Sequence, residues 1–230
     1  MARISHINTS SDELTNPSTK FLEWKSNQQS FEYYDKSASK KVELQLPLKF
    51  AFLQHYHNVK GFHDSSQSGI WSNEVFYIGS EPMTVRAFKV KGSPIASGIY
   101  KNIKAQVNAA GGKYHRSVYA VDANGKIINF QFKGSVVKAW SDFFDNNKSS
   151  LENNWITINS FQTLQKGMVT YTVPVFELGD KIDGDVSIQV DEAASEFQDY
   201  IDVYFSGTSE TTEDDYSVDV DVDATDADLY

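Results

Sequence analysis

Three histidines, His55, His57 and His63, fall within nine residues, and Asp64 follows the third. If the segment is a strand, His55 and His57 share a face, and imidazoles at i and i+2 can ligate zinc or nickel. No cysteine exists to add a thiolate. A cluster of this size in a chain with five histidines reads as incidental, so no metal is expected. Ala109-Ala110-Gly111-Gly112-Lys113-Tyr114 ends like a phosphate loop, but Val107 stands where the first glycine belongs and Tyr114 where a Ser or Thr would ligate Mg²⁺. Asp219, Asp221 and Asp223 imitate the opening of a calcium loop, yet Ala224 fills the glycine position and Tyr230 the place of the bidentate glutamate. There is no Gly-x-Gly-x-x-Gly and no Gly-x-Ser-x-Gly. Neither an enzyme nor a cofactor is expected.

The pattern that stands is cationic and aromatic. Between residues 86 and 140 lie ten bases and a single acid, Asp122. Arg86, Lys89, Lys91, Lys101, Lys104, Lys113, Arg116, Lys126 and Lys133 are interleaved with Phe88, Tyr100, Tyr114, Tyr119, Phe130, Phe132 and Trp140. Single-stranded nucleic acid suits this mixture, because cations track phosphates and aromatic faces stack on unpaired bases. A duplex reader would show a basic recognition helix or a zinc module, and neither is recognisable. Strand parity puts Tyr114 and Arg116 on one face and sets Lys89 and Lys91 opposite Arg86 and Phe88. Trp71, in a turn-like stretch, would serve as a stacking platform if exposed, or else as a core residue. Ile128, Phe130 and Phe132 read as core.

The elements that must position these residues are mostly strands. Segments 21–24, 31–34 and 41–46 have strand patterns, the last alternating strictly until Pro47. Residues 48–59 fit a strand or a short helix. Residues 75–78 and 84–90 read as a strand pair, 97–110 as a helix stopped by Gly111-Gly112, and 117–121 with 127–132 as a hairpin turning at Asn124-Gly125. A helix is expected at 135–144, a strand pair at 155–164 and 168–176, and an amphipathic helix at 191–205. The expected fold class is α+β and β-rich, an OB-fold-like barrel with inserted helices.

Charge divides the chain. The 230 residues carry net −10, but residues 177–230 hold 18 acids against Lys181 alone, which leaves 1–176 at +7. The expected organisation is a flexible arm at 1–18, an OB-like domain at 19–178, an acidic segment with a helix at 179–206 and an acidic tail at 207–230. A tethered polyanion can compete with nucleic acid for a cationic groove and, once displaced, dock on basic partners. Asp223, Asp226, Asp228, Leu229 and Tyr230 would form that docking end. No run suits a membrane helix and the first residues show no export signal, so a soluble intracellular protein is expected.

Four stretches carry a family resemblance: Lys60-Gly61-Phe62; Gln67-Ser68-Gly69-Ile70-Trp71-Ser72-Asn73-Glu74-Val75; Thr84-Val85-Arg86-Ala87-Phe88-Lys89; and Ala109-Ala110-Gly111-Gly112-Lys113-Tyr114. With the acidic tail, they resemble phage single-stranded DNA-binding proteins, in particular those of crAss-like phages, over roughly residues 20–178. Better known relatives end in Phe, whereas this chain ends in Tyr230. The resemblance implies an OB-fold protein of replication, recombination or repair in the cytoplasm of an infected bacterium. Its partners would be single-stranded DNA and, through the tail, replication proteins such as polymerase or helicase–primase, with a homodimer left open. The competing reading is a structural or virion interaction protein built on a β-rich domain.

Overall fold

The computed structural model describes residues 15–206. It is β-rich, with three helices and one open mixed sheet. The strands are β1 (Phe21–Lys25), β2 (Ser30–Asp35), β3 (Lys40–Leu44), β4 (Leu48–His63), β5 (Ser68–Ser72), β6 (Pro82–Ala87), β7 (Ala96–Ile99), β8 (Gly112–Asp122), β9 (Ile127–Lys133), β10 (Asn154–Lys166) and β11 (Val169–Lys181). The helices are α1 (Tyr100–Ala109), α2 (Ser135–Asn147) and α3 (Gly184–Phe205). Among the described residues no helix is long and apolar enough to cross a membrane.

The segment left open between strand and helix, 48–59, is the hub of the sheet. β4 pairs with β8 along one edge, while its other edge pairs with β10 at residues 48–51 and with β5 at residues 60–63. The path runs β3-β2-β1-β9-β8-β4-β5-β6-β7, antiparallel except for the parallel β1–β9 pair. No ladder joins β3 to β11 among the described residues. Side chains nevertheless tie the β1–β2 turn to β11: Trp24 Nε1–H donates to the Thr172 carbonyl (2.9 Å), and the Thr172 N–H donates to Ser26 Oγ (2.7 Å).

Both faces of the sheet are partly covered. On one, α2 closes a core of Leu22, Phe31, Phe50, Val118, Phe130, Phe132 and Trp140, as expected for Phe130 and Phe132, and α1 closes a second around Val59, Ile70, Val85 and Val107. On the other, α3 lays Val190, Ala193, Phe197 and Ile201 over Ala51, Tyr56, Tyr119 and Val121. These are called the α1/α2 face and the α3 face below. The end of the N-terminal arm is tied to the α3 side, where Asn16 Nδ2 donates to the hydroxyls of Tyr119 (3.0 Å) and Tyr200 (3.3 Å).

Two sequence expectations need correction, on residues 75–78 and on Trp71. Residues 75–78 are not the strand partner of 84–90. Val75 makes one bridge to His57, the Phe76 N–H donates to Glu81, and a turn follows in which Ser80 and Glu81 donate to the Tyr77 carbonyl. β6 instead pairs with β5 and β7. Trp71 therefore stands in a strand rather than a turn. Gly111 and Gly112 form no phosphate loop: they let the α1–β8 junction press against β4, where a Cβ on Gly61 would strike the Gly111 carbonyl and one on Gly111 the Phe62 carbonyl. Gly111 also has φ of +94°, the left-handed conformation common just after a helix.

Candidate nucleic-acid interface

Cross-strand register assembles the site. Directly opposed residues of paired strands lie on the same face. Arg86 on β6 opposes Trp71 on β5, Trp71 opposes Lys60 on β4, and Lys60 opposes Lys113 on β8. Four residues spread over 54 positions of sequence thus form one row across four strands, on the α3 face and beyond the residues that α3 covers. A second row runs beside it, with Phe62 opposite Gly69 and Phe88 hydrogen-bonded through its N–H to the Gly69 carbonyl (3.0 Å). Because Gly69 has no side chain, Phe88 can lie against Trp71, with ring centroids 6.1 Å apart and planes at 27°.

The row continues toward β9 and β1. Lys133 opposes His115, and Lys60 Nζ stands 5.4 Å from the centre of the Phe21 ring, a cation–π distance. Glu23 sits among these cations. Burial opposes its ionisation, but the charge of Lys133, then of Lys25, outweighs that and lowers its pKa. His115 is buried, which pushes it down to about 4, so it is neutral at pH 7. Lys89 and Lys91 lie in the turn after β6 rather than on a strand face. Lys89 Nζ donates to the Gln67 carbonyl (3.0 Å), and Arg86 Nη1 donates to the Gly92 carbonyl (3.1 Å), which places both lysines at the rim of the row.

The other sequence candidates divide from this surface. Tyr114 and Arg116 do share a face, but it is the α1/α2 face, together with His57 and Val118. Lys101 and Lys104 are on α1, on that same side of the sheet. Lys126 sits at the β8–β9 turn, about 30 Å along β8 from Lys113. Tyr119 cannot stack on a base: it is 1 % exposed, its ring lies 4.6 Å from that of Phe197, and its hydroxyl donates to Glu74 (3.0 Å). Alternation along β8 turned it inward beneath α3. Lys60 and Phe62 were missed because their parity becomes readable only once 48–63 is known to be one strand, and Phe21 because the parallel pairing of β1 with β9 is not readable from local pattern.

His55 and His57 share a face, as expected of a strand. Among the described residues no group of three or more His, Asp or Glu side chains is placed to hold a metal ion. Asp223, Asp226, Asp228, Leu229 and Tyr230 lie outside the described residues. The end of β4, β5, β6 and the α1–β8 junction are neighbours at one end of the sheet. Comparison with protein-family models, with curated proteins and with solved structures finds no match for this chain.

Proposed function

We propose that the chain is a non-enzymatic, sequence-tolerant single-stranded DNA-binding protein, with the Arg86–Trp71–Lys60–Lys113 row as its DNA track. One observation carries the reading: cations and a stacked aromatic pair share one face, with Lys60 directly opposite Lys113. Like charges placed opposite each other weaken a ladder, and Glu23, whose carboxylate feels both Lys133 and Lys60, offsets part of that cost. A phosphate backbone would bring further negative charge to the row while Trp71 and Phe88 offer ring surface to bases, each stack contributing about 1–3 kcal/mol. Lys133 and the rim lysines Lys89 and Lys91 would extend the track.

An OB-like closure is part of the proposal. It is supported by the hydrogen bonds that draw Thr172 of β11 to Trp24 and Ser26 beside β1. The acidic segment 207–230 would compete for the track and, when displaced, bind replication proteins. In support, α3 ends at Phe205 against Tyr56, only four residues along β4 from Lys60 and on the same face. The setting would be phage replication, recombination or repair in the cytoplasm of an infected bacterium.

The structural or virion reading has its own observation. At the tip of the β10–β11 ribbon, Met168 is 99 % exposed, with Phe161 and Val169 also exposed. Fluorescence anisotropy of a labelled dT oligomer and a matching duplex separates the two readings. Salt-sensitive binding to the single strand, much weaker on duplex, supports the DNA track. No binding by the full chain or by a chain ending at residue 206 favours the structural protein.

A further inference from the structure

We propose that the seam between α1 and α2 is a second anion site, in which Arg116 takes a phosphate group. The seam lies on the opposite face of the sheet from the row, because Arg116 is three residues from Lys113 on β8. Arg116 Nη1 donates to Ser141 Oγ on α2 (2.9 Å), while its Nε–H is buried and has no hydrogen-bond partner. Among the described residues no carboxylate pairs with this guanidinium. Asp145, whose carboxyl feels the Arg116 charge, is bonded to Lys148 at 2.6 Å instead. A buried, unsatisfied N–H on a charged fork is costly, and a planar guanidinium matches phosphate oxygens in pairs.

The groups around Arg116 are suited to an anion and not to a cation. Burial, and then the Arg116 charge, pushes His55 down to about 3 and His57 down to about 4, so both are neutral at pH 7. His55 Nδ1 accepts from Trp140 Nε1–H (3.3 Å), which puts the proton of the neutral ring on Nε2 as a donor. His57 Nδ1 is 2.5 Å from the Tyr114 hydroxyl, and Tyr100 packs against Tyr114 with ring centroids 5.5 Å apart. Burial pushes the Tyr100 hydroxyl up to about 12, so it keeps its proton. The seam therefore offers the Arg116 charge and neutral donors, with the exposed Asp145–Lys148 ion pair nearby.

The test uses the full-length chain at pH 7 and ring resonances of His55 and His57 followed by ¹⁵N NMR. Inorganic phosphate, at constant ionic strength, should shift both saturably. Arg116→Gln should abolish the shift and Arg116→Lys should retain part of it. Because Arg116→Gln could unfold the chain, arginine modification by phenylglyoxal, mapped by mass spectrometry, gives a second reading on the unaltered protein. Phosphate should then slow modification of Arg116 and leave Arg86 unchanged. Histidine shifts that are absent or that survive Arg116→Gln, or equal protection of both arginines, would overturn the proposal. Two dT oligomers identify the source of the phosphate. Shifts only with a 5′-phosphorylated strand indicate a strand end, equal shifts with a 5′-hydroxyl strand indicate a backbone phosphate, and shifts with inorganic phosphate alone indicate the free ion. These arms do not depend on the DNA track, whose loss would leave the phosphate response intact.

Discussion

Lys60 and Lys113 stand directly opposite each other across the β4–β8 ladder, like charges at the centre of a row that also holds Trp71 and Arg86. Lys113→Gln should raise stability to chemical denaturation by about 0.2–1 kcal/mol, because it removes a like-charge cross-strand pair. The same substitution should weaken binding of a dT oligomer and make the salt slope shallower by about 0.7. Unchanged affinity with raised stability would remove Lys113 from the track.

The acidic segment gives a second test. A chain ending at residue 206 should bind single-stranded DNA more tightly than the full chain, with the difference greatest at low salt and fading as screening increases. Equal affinity at every salt concentration would mean that the segment does not compete.

Acid should destabilise the fold through its histidines. His55, His57 and His115 have pKa values of about 3, 4 and 4 in the fold, against 6.5 for a free imidazole. Below pH 6.5 the unfolded chain takes up protons that the folded chain refuses. The stability these groups contribute is thus complete above about 6.5 and falls toward pH 4, by up to about 1.4 kcal/mol per pH unit for each histidine. Urea midpoints measured from pH 7.5 to 4.5 should fall with acid, and His57→Gln should flatten the fall. A flat profile would contradict the neutral assignment.

Beneath α3, Glu74 is buried and held above its ordinary pKa, chiefly by burial, while Tyr119 donates to it and the Tyr204 hydroxyl accepts from its backbone N–H (2.7 Å). Tyr119→Phe should cost about 1–3 kcal/mol, since it leaves the buried Glu74 without that donor and Asn16 with only the longer bond to Tyr200. DNA affinity should stay the same. Loss of binding in a folded Tyr119→Phe protein would return Tyr119 to the interface.

Local pattern made much of the fold legible. The hairpin at Asn124-Gly125, the helices near 97–110 and 135–144 and the 41–46 alternation all follow from turn chemistry and period. Pairing did not follow. Nothing near residue 60 announces that it will face residues 71 and 113, because non-local register depends on tertiary packing. Parity alone sets Tyr114 and Arg116 on the face opposite Lys113, but which of those two faces would be joined by Trp71 and Arg86 was not readable. The fate of Tyr119 was hidden for a related reason, since its burial depends on a helix 65 residues or more downstream.

Trp71 allows the most direct test, because Trp24, Trp140 and Trp155 are buried and Trp71 is partly exposed beside the row. Intrinsic tryptophan fluorescence should be measured while a dT oligomer is added to the full-length chain and to Trp71→Phe. The expected result is saturable quenching in the unaltered protein, reversed by salt and nearly absent in Trp71→Phe, which should still bind by anisotropy. Binding without quenching, or quenching that persists in Trp71→Phe, would contradict the assignment of the DNA track to this row.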